Sequence, residues 1–276
     1  MFQKALMFLF AAKTALVTCN YESRKVDMDK QKQQIVTLGK LDAVVDESSG
    51  ICPAQWSENL LSINDSGGKP EIYEIDHKGK LIATHAVPES KNVDWEEITA
   101  DSKGNVYVGD FGNNANQRKD LTIYKYKNGI TEKITFRFGD QDFSKGFKME
   151  YDCEAFFWNN DSLYIFTKSW EKGVKASRLY SVSDQPGDYT LSPKDEVYLK
   201  AQITGAAINP SKSQFALISY GKIFLFGIEN NVINFRSPQV CISIAKKQTE
   251  AIMYKSDNNL IFTNEQRGLY SLMVND

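Results

Sequence analysis

The sequence predicts an all-β fold, a single domain of repeated four-stranded sheets set in a closed ring. A short phrase recurs five times, its apolar runs are short and rich in aromatic and β-branched residues, and one apolar segment is left over to close the ring. Successive copies begin 48, 57, 51 and 45 residues apart, which is blade spacing rather than helical-repeat spacing. The architecture expected is a β-propeller of five blades, or six if the longest interval hides a poorly patterned blade.

Before the first copy, residues 1–18 carry an early basic residue, Lys4, and a mostly apolar stretch interrupted by Lys13. This reads as a secretory signal peptide, too short and too interrupted to span a bilayer. Leu16-Val17-Thr18-Cys19 resembles the lipobox of bacterial lipoproteins, in which the cysteine is acylated. Residues 19–34 are polar and of mixed charge, as expected of a lipidated flexible tether. Residues 35–276 then form the propeller domain.

The leftover apolar run is residues 35–38. In each copy a small-apolar first strand begins near Ser49, Glu97, Glu154, Gly205 or Glu250. A more apolar second strand follows at 60–64, 106–110, 163–167, 215–219 and 260–264, and a third has an aromatic near its start. Residues such as Leu163-Tyr164-Ile165-Phe166 are apolar at successive positions, as required where both sheet faces are covered. Fourth strands are expected at 81–87, 133–138, 196–201 and 240–244. The fifth copy has none, so residues 35–38 are expected to supply it and remove an exposed edge.

Composition narrows the function classes. With 33 basic and 35 acidic residues well mixed, no basic stripe points to nucleic acid. Cys52, Cys153 and Cys241 fall on strand positions and read as small buried apolar residues, with a Cys52 to Cys153 bridge as the minor alternative. The two histidines, His77 and His85, occupy a turn and an outer strand, away from any serine triad or zinc pattern.

Equivalent positions of a propeller converge around its axis, so the first-strand starts place Glu97, Glu154 and Glu250 together, with Ser49 and Gly205 as gaps. Such like charge requires a cation, a proton or donors. The second-strand ends add Asn64, Asp65, Asp110, Lys168, Tyr220 and Asn264, with Asp94, Glu96 and Arg267 nearby. Glu97, Asp110, Asn113, Asn114 and Glu154 are candidate ligands for a hard cation such as Ca²⁺. Asn64-Asp65-Ser66-Gly67 is equally explained as turn chemistry. Glu97 and Glu154 are the candidate bases if the protein is an enzyme.

The phrases Glu47-Ser48-Ser49-Gly50-Ile51, Asn64-Asp65-Ser66-Gly67, Asp94-Trp95-Glu96-Glu97-Ile98, Asp110-Phe111-Gly112-Asn113-Asn114, Asp152-Cys153-Glu154-Ala155 and Ile203-Thr204-Gly205-Ala206 resemble a group of exported propeller proteins common in Bacteroidetes. The resemblance covers residues 38–274 and extends distantly to SdiA-regulated and phytase-like esterase propellers. It implies a monomeric lipoprotein of the cell envelope, on the outer membrane of a Gram-negative bacterium and held there by its lipid. Two functions stand open. One is binding of a cation, sugar, small molecule, glycan or peptide at an acidic channel mouth. The other is Ca²⁺-dependent hydrolysis of esters, lactones or phosphate esters, by analogy with lactonase propellers.

Overall fold

A computed structural model describes residues 35–145, 150–170, 176–236, 238–245 and 247–274. The expected leader and tether, with Cys19, lie outside the described residues. Strand β1 (Ile35–Lys40) comes first. Blade 1 holds β2 (Ser48–Pro53), β3 (Leu60–Asn64), β4 (Glu71–Ile75) and β5 (Leu81–Ala86), and blade 2 holds β6 (Trp95–Ala100), β7 (Val106–Asp110), β8 (Leu121–Lys127) and β9 (Ile130–Phe138). Blade 3 is formed by β10 (Asp152–Asn159), β11 (Ser162–Lys168), β12 (Ala176–Ser183) and, after β13 (Gly187–Leu191), by β14 (Asp195–Tyr198). Blade 4 comprises β15 (Ile203–Ile208), β16 (Gln214–Ser219), β17 (Lys222–Glu229), β18 (Val232–Ile233) and β19 (Val240–Ser243); blade 5 comprises β20 (Thr249–Ser256), β21 (Asn259–Asn264) and β22 (Gly268–Met273).

The innermost strands close a circle, β2 against β6, β6 against β10, β10 against β15, β15 against β20 and β20 against β2. Five blades are therefore the count. The long interval between the second and third copies contains a lengthened β9 and a 3₁₀ turn at Phe143–Lys145, not a sixth blade. As expected, β1 pairs antiparallel with β22 and completes blade 5, running two residues beyond the predicted segment.

Alternating residues of each blade face opposite neighbours, which is why the second strands are apolar throughout. Among the described residues the core divides into five clusters, each joining two adjacent blades. The seam between blades 3 and 4 is a pile of phenylalanines in which Phe215 and Phe226 stack at 4.8 Å and Phe157, Phe166 and Phe235 pack around them. Cys52 and Cys153 are buried free thiols in different seams, so they do not form the minor-alternative bridge, while Cys241 is buried on β19.

Several tight hairpins follow from residues that tolerate positive φ. Asn160 and Asp161, at 48° and 59°, turn β10 into β11, and Asn230 and Asn231, at 51° and 62°, turn β17 into β18. Both central residues in that region give the hairpin turn whose twist matches the flanking strands. One element has no counterpart in the sequence reading: β13 leaves blade 3 and pairs in parallel with β9, adding a fifth strand to blade 2.

Candidate functional site

Each innermost strand begins with a β-bulge. The register jumps between Ser48 and Gly50, Trp95 and Glu97, Cys153 and Ala155, Ile203 and Gly205, and Thr249 and Ile252. A bulge adds a residue that has no partner and re-aims its side chain. The bulged positions are Ser49, Glu96, Glu154, Thr204 and Glu250.

This corrects the expected ring by one residue in two blades. Glu96, not Glu97, is equivalent to Glu154 and Glu250, and Thr204 replaces Gly205. Glu97 instead occupies the next position, whose other occupants are Gly50, Ala155, Gly205 and Ala251. In the two blades with a hydroxyl at the bulge, that hydroxyl ties to the following blade: Ser49 donates to the Trp95 carbonyl at 3.0 Å and Thr204 to the Thr249 carbonyl at 2.7 Å.

Glu97 is fully buried and spans the channel. Its carboxylate accepts hydrogen bonds from the amides of Ile98 at 3.0 Å and Ala206 at 3.1 Å, with the Ile51 amide also directed at it. Burial pushes its pKa up, opposed by these three donors. Its small neighbours make room for it. A Cβ on Gly50 would lie 2.8 Å from one Glu97 oxygen, and a Cβ on Gly205 would lie 3.1 Å from the other. The side chain is thus an internal tie between blades 1, 2 and 4, with its oxygens already occupied.

Above this tie the mouth is centred on Lys168. Its Nζ contacts Glu154 Oε1 at 2.7 Å, with both side chains buried, and sits 4.7 Å from the Trp170 ring centroid and 5.6 Å from that of Tyr220. Burial opposes the ammonium charge, but Glu154, Tyr220, Asp152 and Glu96 together outweigh it and hold the lysine well above its usual range. Tyr220 donates to Glu250 at 3.2 Å. Asp152 accepts from the Asn113 amide at 2.7 Å and from the Trp170 indole at 2.6 Å.

On the blade 1 and blade 2 side, carboxylate oxygens of Asp65, Asp94 and Glu96 lie within 4.8 Å of one another. The acids of the mouth raise one another. Burial and then Asp65 and Asp152 push Asp94 up to about 6; burial and then Glu154, Asp65 and Asp94 push Glu96 well above its usual value. Glu265 is pushed up to about 7 by burial and by Glu47 and Asp65, and Glu250 to about 8 by burial and Glu265.

Most of the remaining sequence candidates are engaged in bonds of their own, although the buried Asn64 Oδ1 has no hydrogen-bond partner among the described residues. Asp110 accepts from the Asp94 amide at 2.9 Å and from Arg118 at 3.1 Å, while Asn113 caps its own loop by accepting from the amides of Gln117 and Arg118. Asn114 is exposed. Asn64 donates to the Val44 carbonyl and Asp46, and Asn264 accepts from the Gly268 amide, so both act as turn braces. Arg267 turns β21 into β22 with φ of 65°.

Sequence reasoning overlooked Glu47, Asp152 and Trp170. The signal for the first two was present: Glu47-Ser48-Ser49, Asp94-Trp95-Glu96 and Asp152-Cys153-Glu154 are the same register triplet, two residues before each bulge and then the bulge itself.

No family model matches the sequence, and no curated protein is similar to it. Among solved structures the chain is similar to a gluconolactonase of Xanthomonas campestris, with 9% identity, 89% of this chain and 91% of that chain covered, and a TM-score of 0.53. It also overlays on a catalytically inactive virginiamycin B lyase of Staphylococcus aureus, with 13% identity, coverage of 83% and 66%, and a TM-score of 0.46. A Bacteroides thetaiotaomicron protein of unknown function gives 10% identity, coverage of 87% and 76%, and a TM-score of 0.46. At such identities the likeness to the gluconolactonase is one of fold. The chain is a β-propeller.

Proposed function

We propose that this protein is a binding propeller of the cell envelope whose acidic mouth receives a positively charged ligand. The observation that carries this is electrostatic. Glu47, Asp65, Asp94, Glu96, Asp152, Glu154, Glu250 and Glu265 act on one another around Lys168, and seven of them are held at raised pKa by burial and mutual repulsion. Burying like charges costs several kcal/mol per ion unless they are paired, about what an entering cation returns. The rings of Trp170 and Tyr220 beside Lys168 add the aromatic faces on which a cation also rests.

Binding is placed ahead of hydrolysis because both candidate bases are engaged. Glu97 is held by backbone amides and Glu154 by Lys168. A general base must be able to reach the proton it removes.

Glu250 and Glu265 bind protons more tightly in the fold than their ordinary value of 4.5, so the folded state holds more protons than the unfolded chain between that value and about 8. Stability is then highest at low pH and falls as pH rises through that window. The melting temperature without added cation is expected to drop by at least ~2–4 °C between pH 5 and pH 8, for a change of ~1 kcal/mol or more. Millimolar Ca²⁺ or spermidine, at constant ionic strength, is expected to flatten the slope and raise the pH 8 value. A flat profile that neither ion moves would refute a cation-receiving mouth.

For location, the reading is an exported protein held at the membrane by lipid on Cys19, supported by the lipobox-like segment and the polar tether. The full chain is expected to fractionate with membranes, and Cys19→Ala to shift it to the soluble fraction. Equal partitioning of both would remove the anchor.

A further inference from the structure

We infer that Asp65, Asp94 and Glu96 form a binding site for one hard divalent cation, set to one side of the mouth between blades 1 and 2. This rests on the reading of the mouth as cation-receiving and gives it a place and a ligand class. Three carboxylates grouped within 4.8 Å do not by themselves define a site, since exposed acids cluster without one. Two further observations point to a ligand.

The first is the state of Glu96. Its side chain is buried with the residue at 6% exposure, yet among the described residues its carboxylate has no hydrogen-bond donor and no ion-pair partner. The other bulge acids differ, since Glu154 has Lys168 and Glu250 has the Tyr220 hydroxyl. A carboxylate on so buried a side chain, with no hydrogen-bond donor and no ion pair, is costly, and the bulge at Glu96 aims it at Asp65 and Asp94. Among the described residues no cationic side chain forms an ion pair with the three acids; Arg118 pairs with Asp110 and Asp120, and Lys168 with Glu154, and they act on Asp94 and Asp65 only from farther off.

The second is the floor of the site. A Cβ on Gly112 would lie 2.2 Å from Glu96 Oε1 and 2.4 Å from Asp94 Oδ2, so only glycine lets both carboxylates rest over that stretch of backbone. Gly112 is itself pinned by its amide to the Asp94 carbonyl at 3.1 Å. Asp65 is fixed from the other blade, where Asn92 donates to the Asn64 and Asp65 carbonyls and accepts from the Trp95 amide. Donors from two blades thus converge with their free oxygens inward.

The donor set selects the ion. Oxygen-only carboxylate ligands, with no His or Cys among them, suit Ca²⁺ rather than zinc or copper, and waters complete the six to eight positions Ca²⁺ takes. Ligands on two separate loops accommodate the longer and more variable Ca²⁺ distances better than the strict octahedron of Mg²⁺.

The experiment is calorimetric titration of the full chain with Ca²⁺ alone, followed by Tb³⁺ luminescence excited through tryptophan as a direct probe of the site. One equivalent of Ca²⁺ is expected, displaceable from Tb³⁺. Glu96→Gln preserves shape and is expected to weaken binding at least tenfold, and Gly112→Ala to weaken it by displacing two ligands; Glu71→Gln, an acid outside the mouth, is expected to bind as the parent does. Ca²⁺ binding that is unchanged in Glu96→Gln would overturn the assignment. Absence of Ca²⁺ binding while spermidine still raises the melting temperature would overturn the metal site and spare the cation-receiving mouth; if neither ion acts, both fall.

Discussion

Glu97→Ala is expected to destabilise the propeller by about 3–5 kcal/mol, because Glu97, a candidate base by sequence, is a fully buried structural tie in the fold. The substitution removes the acceptor for the amides of Ile98 and Ala206, and for that of Ile51. A buried donor left without a partner costs ~1–3 kcal/mol, and here three lose theirs at once. Because these donors sit on blades 1, 2 and 4, the loss acts on ring closure rather than on one sheet. Glu97→Gln keeps one carbonyl oxygen but turns its amide NH2, a donor, toward a backbone donor, so an intermediate loss of ~2 kcal/mol is expected. Urea denaturation of the parent and both variants measures this directly. A midpoint change worth less than ~1 kcal/mol for Glu97→Ala would show that water or a rearranged channel replaces the tie.

The same residue shows what sequence could and could not supply. Fold, blade count and ring closure were legible because they depend on repeated apolar runs and on one unpaired segment, residues 35–38, that had a single economical use. The acidic mouth was legible as a concentration of acids at repeat starts. Its register was not, because a bulge inserts one residue without changing the composition around it, and Glu96-Glu97 offers two acids for one position. The column Gly50, Ala155, Gly205, Ala251 would have resolved this, since a glutamate among four small residues must be filling space that the others vacate. The added strand β13 was illegible for a different reason. It joins blade 2 from the β12–β14 connection, and nothing local in residues 187–191 names a partner about 50 residues earlier in the chain.

Lys168→Met is expected to cost about 3–5 kcal/mol at pH 8 and, at the same time, to tighten cation binding. The ammonium is the positive charge that Glu154, Glu250, Glu265 and Asp65 each feel. Methionine keeps the apolar stem against Trp170 and Tyr220 but leaves Glu154 buried without its partner. Removing one member of a buried pair is costlier than removing both, so Glu154→Gln/Lys168→Met is expected to recover a large part of the loss. A double-mutant cycle on chemical denaturation gives the coupling, and a value below ~0.5 kcal/mol would mean the pair is solvated and not the centre of the mouth. The binding arm runs the other way. With Lys168 neutral, the surviving carboxylates gain repulsion that an entering cation relieves, so Ca²⁺ or spermidine should restore more stability to Lys168→Met than to the parent. An internal lysine that only braced Glu154 would give the loss of stability without the gain in cation response. A lysine standing in for a missing ligand's charge gives both, since the fold has then set its own cation against the one it receives.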